Sequence, residues 1–556
     1  MTPPQTTTPD PAQQHPARWS RVDVAAAFDH FGSPNPSSQR QYAREQDIPR
    51  STLGHWMRRD DPCDDDPIAA FCHSTAGQSF LQAIVVAALT TFSLRGACGI
   101  RLVGVFLRDS GLDRFVGPSR GALYPLLVAL ESQLAAFDEQ ERPRLAALMP
   151  RRSVTAALDE HFHAATPCLV AIEPVSNFIL VECYRDRRDA LTWKEALVEG
   201  TRGMDLDLVL ITSDLARGLI RCAEKGLGVM HSPDLFHGQR DLLRSLLLPL
   251  NRPVRQAEKE LEKAAARTAR LDCLAGTPQP QVEELALIAS VRAELAIEGR
   301  LEQARQCRET ALQGVRGLGD DYHPFDRHTG KPVTAQEAQT RLSAHLDRAG
   351  KAAEESDLGE RAGQGIDKAR AWVTALVGCV AWFWGVVSAR LEGLDLAETQ
   401  EREVREALLP GHYWEKAARR ARTSAERRRL RGLAEELKRG AWREGGALAS
   451  LPAEQKAEVS RVAKECAGLF SRSSSCVEGR NGRLSLHHHG HGKVSAARLT
   501  ALRVIHNYMA RRDDGTTAAE RFFGQGHEDV FAWLLRRMPD LPRPAAKRQE
   551  AARQAG

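Results

Sequence analysis

A chain of 556 residues with 42% hydrophobic and 27% charged residues is long enough for three or four domains and has a soluble, globular composition. Its net charge of +5 does not by itself announce a nucleic-acid binder. Its eleven cysteines, scattered without CxxC pairs, exclude a zinc ribbon and a disulfide scaffold and point to reduced thiols in a cytoplasmic protein.

The N-terminal residues 1–20 are rich in Pro, Thr and Gln and lack the apolar stretch of a signal peptide, so they read as a disordered tail. Residues 21–150 read as a helical, DNA-binding region. Within it, 38–59 predicts two short helices around a turn at Asp47-Ile48-Pro49, with Tyr42, Ala43, Ile48, Leu53 and Trp56 packing together. Arg50, Ser51, Thr52 and His55 then lie at the start of the second helix, free to enter a major groove. An ordinary helical hairpin fits the same spacing. Residues 78–150 carry apolar side chains at helical intervals, broken at Ser110-Gly111 and Gly117-Pro118, which fits either a second helix-turn-helix or a packing module.

From residue 153 the period changes. SVTAALD, CLVAIE and FILVECY are three short β-rich runs, separated by EHFHAATP and by the turn PVSN. A helix follows over DALTWKEALVEG, with Asp189 as its N-cap. LDLVLITSD is a fourth, wholly apolar strand of the buried parallel kind. A helix and a short apolar run into another helix complete 151–240. Three meander strands, helix, strand, helix is the order of the first part of an RNase H-like α/β domain.

Residues 241–470 read as an all-α insertion, rich in Ala, Glu, Arg and Leu and interrupted by one polar break, GLGDDYHPFDRHTGKPV. The uncharged segment 371–388 approaches membrane-spanning length, but charged helical sequence flanks it, and a buried helix is expected in its place. Basic residues cluster between Arg419 and Arg431 and could track phosphates or form a solvated helix face. Residues 471–540 hold a Ser-rich link, a glycine-bearing segment VEGRNGRLSL, a loop with His487, His488, His489 and His491, and further helices. Residues 541–556 form a basic tail. Histidines in a row between glycines do not set up a tetrahedral metal site, and a flexible polar loop is the expected meaning.

Three acidic residues have distinctive settings. Asp159 and Asp214 each end an apolar strand, where a lone carboxylate is costly without a partner or a metal. Neighbouring strands would bring them together, and Glu478, returning after the insertion, would join them. Glu160 and Glu173 compete for the first position. Three carboxylates suit hard cations, Mg²⁺ or Mn²⁺, and in-line attack on a phosphodiester uses such a site.

With these motifs in hand, the chain resembles bacterial insertion-sequence transposases of the DDE, RNase H-like class. The matching residues are DEHF at 159–162, RRDALTWKEAL, SDLARGL at 213–219, DLFH at 234–237, VEGRNGRLSL at 477–486 and RLTALRVIHNYMARRDDGTTAAERFFG at 498–524. The resemblance implies a mixed sheet interrupted by a large helical insertion. It implies Asp159, Asp214 and Glu478 as a catalytic, metal-binding triad. Asp234 and His237 resemble a signature that supports the site, although a capping Asp with a packed His reads the same way. Trp382 and Trp384, in the insertion, are implied base-stackers or else core tryptophans; Arg480 and Arg483 are placed to hold DNA phosphates. The implied reaction is Mg²⁺-dependent DNA cleavage and strand transfer, on terminal inverted repeats and target DNA, by a homodimer or higher oligomer without a membrane. A catalytically silent DNA-binding descendant and a nuclease that only hydrolyses are the alternatives.

Overall fold

The computed structural model describes residue 19 and residues 21–57, 66–275, 281–492 and 494–544. The expected disordered tail at 1–20 lies outside them apart from Trp19, as does the basic tail from 545. The chain divides into two compact units, one of residues 1–145 with 483–556 and one of residues 146–482.

The first unit opens with α1 (Arg21–Phe31), α2 (Gln39–Glu45) and α3 (Arg50–Met57). Ser38 caps α2 by accepting from the Gln41 amide. Between α2 and α3, Asp47 takes a positive φ of 51° and the Ile48 amide bonds back to the Ala43 carbonyl, which reverses the chain. The reversal buries Tyr42, Ala43, Ile48, Leu53 and Trp56 against Ala27 of α1, the packing set the sequence spacing predicts. Four more helices follow, α4 (Pro67–His73), α5 (Thr75–Ala88), α6 (Ile100–Asp109) and α7 (Arg120–Leu148).

The second unit holds one mixed sheet. Its elements are β1 (Arg152–His163), β2 (Thr166–Glu173), β3 (Phe178–Tyr184), α8 (Ala190–Gly200), β4 (Leu206–Ser213), α9 (Arg217–Arg221) and β5 (Met230–Pro233). Strand order is β3-β2-β1-β4-β5. β1, β2 and β3 run antiparallel; β4 lies parallel to β1 and β5 parallel to β4. Asp189 caps α8 by accepting from the Thr192 amide. β2 is buried from Pro167 to Glu173, as expected of a strand covered on both faces. The first strand differs from expectation: it does not end at Asp159 but continues to His163. A two-residue turn at Ala164 and Ala165, both at positive φ, lets the hairpin close four residues later than the apolar run suggests.

After β5 the chain is helical: α10 (Leu235–Ala275), α11 (Gln281–Asp321), α12 (Ala335–Glu355), α13 (Glu360–Glu392), α14 (Glu398–Glu403), α15 (Leu409–Arg419), α16 (Ser424–Ala441), α17 (Ala453–Leu469) and α18 (Ser475–His491). The polar break becomes the loop 322–334, closed by the Thr334–Glu337 capping box at the start of α12. Phe383 on α13 is fully buried among Phe325, Trp384 and Phe470. α13 packs on β5 and α17 on β1, while α8 packs on β2 and β3, so the helical excursion also coats the sheet. Gly238 permits close approach of α10 and α13: a Cβ there would meet the Trp372 ring at 2.4 Å.

The expected second part of the sheet domain, 471–540, is divided. Residues through Gly482 belong with the sheet, whereas α19 (Ala496–Val504), α20 (Ala518–Phe523) and α21 (Val530–Arg537) belong to the first unit. Their apolar faces find Phe137 of α7, which meets Tyr508 and Trp533 edge-on, and Arg498 and Arg503 pair with Glu131 and Asp138. The expected His-rich loop is also revised. His487, His488 and His489 lie in α18, and His487 is buried.

Two described helical stretches, Thr75–Arg95 and Glu360–Glu392, are long and apolar enough to cross a membrane by length and composition, with 56% and 39% of their apolar windows buried. Truncating Phe383 to Ala should remove about 3–5 kcal/mol of stability, read as an earlier chemical-denaturation midpoint with retained helical circular dichroism in native buffer.

Candidate functional site

The site is built on the sheet's register. In the parallel pair β1–β4, Ala157 lies opposite Thr212. Two residues further on, Asp159 continues β1 on the same face, and Asp214 follows directly after the last residue of β4. On the other side of β1, Asp159 lies opposite Val170, and Val170 lies opposite Glu182 on β3. One face of the sheet thus carries a row across three strands, Glu182, Val170 and Asp159, with Asp214 at the end of the neighbouring β4.

α18 crosses this row. Arg480 donates to both carboxylate oxygens of Glu182 at 2.7 Å, with both side chains buried. Asn481 donates to Asp159 Oδ2 at 3.2 Å. Glu478 sits three residues before Asn481, on the same side of the helix. The helix is held at its start by Asp234, which is buried at the end of β5. Asp234 accepts from the Ser474 amide at 2.9 Å, from the Ser474 hydroxyl and from the Phe236 amide at 2.7 Å. It also faces His237 Nδ1 at 3.2 Å, while His237 Nε2 lies 3.5 Å from Glu478 Oε1. Asp234 therefore caps α10, and His237 stands between it and Glu478.

Electrostatics follow from this crowding. Burial pushes Asp159 up to about 7, the charges of Asp214 and Glu160 add to the rise, and His237 opposes it. Burial also raises Glu478, again opposed by His237, with Asp234 adding to the rise. His237 is raised, first by its hydrogen bond to Asp234. Burial alone would raise Asp234, but the hydrogen bonds from His237 and Ser474 outweigh it and hold it below the usual carboxylate range. Beside the site on β5, His231 bonds Ser213 at 2.8 Å, and burial lowers its pKa to about 4, which keeps it neutral. Asp214, half-buried, accepts from the Ala216 amide at 3.0 Å.

The two competing acids have other work. Glu160 pairs with Arg188, and Glu173 is buried and accepts from the amides of Val175 and Ser176 to close the β2–β3 turn. The remaining donors are all oxygens, which suits a hard divalent cation. The ligand oxygens of Asp159, Asp214 and Glu478 do not all lie within 4.8 Å of one another, so they do not form one compact three-ligand cluster.

Other expected site residues fall elsewhere. Arg480 does not face solvent: its bidentate bond to buried Glu182 removes it from the phosphate-binding set. Arg483 is exposed further along α18. Trp384 donates to the Val333 carbonyl at 2.8 Å and packs edge-on to Phe325, and Trp382 is half-buried against the same core, so both serve the helical core. Trp384 also lines a cavity of about 580 Å³ with Arg402 and Arg405. In the first unit, Arg50 and Ser51 are exposed in the opening turn of α3 and Thr52 is half-buried; the His55 side chain lies outside the described residues.

Asn481 was missed in the sequence. Its only signal was the three-residue spacing from Glu478, which has meaning only on a helix. Gly479 and Gly482, each costing about 1 kcal/mol in a helix interior, concealed that helix.

A family model described as a family of unknown function, DUF6399, matches residues 404–550, about a quarter of the chain. The match takes in Glu478 and Asn481 but neither aspartate. No curated protein and no solved structure matches.

Replacing Arg480 with Ala strands the Glu182 carboxylate in the interior. The expected cost is about 3–5 kcal/mol, whereas the double variant Arg480→Met/Glu182→Leu should recover most of it; urea midpoints of the three proteins test this.

Proposed function

We propose that this chain is a DNA transposase of the DDE, RNase H-like class, cleaving DNA strands and joining them to a target. The observation that carries the reading is the convergence of Asp159, Asp214 and the helix bearing Glu478 on one sheet face, although some 260 residues separate the last two. Strand order 3-2-1-4-5, with three antiparallel strands and two parallel ones, supports the RNase H-like assignment. So does the point of insertion, which falls between the fifth strand and the helix that supplies the third acid.

Asp159, Asp214 and Glu478 would hold Mg²⁺ or Mn²⁺. The cation, when bound, supplies positive charge against the charge that develops on the phosphate. The chain's own residues do the positioning. Asn481 fixes the Asp159 carboxylate. Asp234 holds His237, and His237 holds Glu478. The Arg480–Glu182 pair fixes α18 against the sheet, with Asn481 on Asp159 and Glu478 on His237. Exposed Arg483 remains available to a phosphate, and α3 offers Arg50 and Ser51 to a DNA groove. Terminal inverted repeats and target DNA are the substrates of this reading, and two ends held together call for a homodimer or higher oligomer.

The decisive experiment incubates the protein with Mg²⁺ and DNA carrying the inverted repeats that flank its gene, and follows cutting and joining separately. Joined products support the transposase. Cutting without joining would make the protein a hydrolytic nuclease, and neither would leave a DNA-binding protein without chemistry. Asp214→Asn should lower cleavage by about a thousandfold or more while duplex affinity stays within about threefold, since it removes a cation ligand and not a DNA contact. Arg50→Ala should weaken binding of terminal DNA about tenfold at physiological salt, measured by fluorescence anisotropy; unchanged affinity assigns α3 to packing.

A further inference from the structure

Beyond the carboxylates, α10 carries a second ordered feature. Arg252, Arg255, Lys259, Lys263, Arg267 and Arg270 are all exposed. At about 100° per residue, all six fall within about 60° of a single line along the helix, and they extend over about 27 Å. None of them forms an ion pair with another described residue.

The opposite side of α10 explains their orientation. Val254, Ala257 and Leu261 pack on Leu301 and Ala304 of α11, and Thr268 bonds Ser290. These residues centre about 160° around the helix from the cation row. The row therefore looks directly away from the partner helix. The carboxylates on α10 that have partners are used sideways: Glu258 pairs with Arg305 and Glu260 with Arg300. Those pairs neutralise the flanks and leave the outer line positive. The same helix begins at the site. His237 stands in its first turn beside Glu478, and Arg240, one turn on, lies close enough to oppose the burial-driven rise of the Glu478 pKa.

We propose that the outer face of α10, from Arg252 to Arg270, docks the sugar–phosphate backbone of duplex DNA. Six cations about 5 Å apart suit a polyanion with one charge about every 1.7 Å of axis, and the row matches about eight base pairs in length. A solvated helix face has no need to sort its cations onto one line and its paired acids onto the flanks. Docking itself rests on charge geometry alone; only its direction, toward the carboxylates, rests on the transposase reading.

The test uses the full chain without divalent cations and a duplex of about 30 mixed-sequence base pairs, with anisotropy read between about 50 and 200 mM salt. One variant combines Arg255→Gln, Lys259→Gln, Lys263→Gln and Arg267→Gln, and a second places Glu at the same four positions; circular dichroism checks that helical content is kept. The expected result is a log-affinity against log-salt slope shallower by about 3–4 for the Gln variant, and binding at least about 100-fold weaker at low salt for the Glu variant. Unchanged slope and affinity in the helical Gln variant would overturn the proposal. So would loss of binding to anionic vesicles with duplex binding intact. Because no cleavage is measured, a shifted slope in a protein that never cuts DNA would sink the catalytic reading and leave this surface standing.

Discussion

The buried carboxylate of Asp234 joins the consecutive β5 and α10 to the start of α18, some 240 residues later in the second unit. It ends β5, opens α10, and receives the Ser474 amide and hydroxyl just before α18 begins. A backbone bond from the Leu235 amide to the Arg472 carbonyl runs beside it. A buried carboxylate without donors would be strongly unfavourable, so the fold must bring its donors to it from both ends of the excursion. That requirement returns the chain to the sheet after more than 230 residues of helix and fixes where Glu478 arrives. The remainder of the site depends on this closure, because neither Asn481 nor Arg480 can reach the sheet unless α18 starts there.

Once α18 has started, its pitch is set by opposite charge at one end of the row and shared like charge at the other. Arg480 and Glu182 satisfy each other in the interior. Asp159, on β1, and Asp214, just past the end of β4, have no such pairing; burial is the main reason the Asp159 pKa is raised, and the Asp214 and Glu160 charges add to it. Structure and chemistry are thereby divided between neighbours on one sheet face. The arginine that sequence reasoning gave to DNA holds the helix, and the carboxylates two strands away remain for the proposed reaction.

The sheet was legible in the sequence because short, continuous apolar runs of strand length occurred in order, separated by turn residues or a helix. The packing of α2 and α3 was legible because Tyr42, Ile48, Leu53 and Trp56 keep helical spacing around a turn signal. The end of β1 was not, since its hairpin closes through two alanines at positive φ, a conformation that Gly or Asn would have advertised. α18 was hidden by its glycines and histidines, which favour irregular structure locally and are overridden by tertiary anchors. With the helix hidden, the contacts of Arg480, Asn481 and His487 could not be foreseen. The assignment of 483–540 to the N-terminal helices was equally invisible, because an amphipathic face states that it needs a partner without saying which one.

Near their midpoints, α10 and α11 bury a small cluster drawn from those two helices alone, spaced like a two-stranded coil. Inserting or removing seven residues in each arm would keep that seam in phase and change the reach by about 10 Å. Nothing at the carboxylates would feel the change, because both roots of the hairpin are pinned near the sheet. Length of the arm is therefore a free parameter on which related sequences can diverge, altering how far the proposed docking face extends while the sheet at its base stays constant.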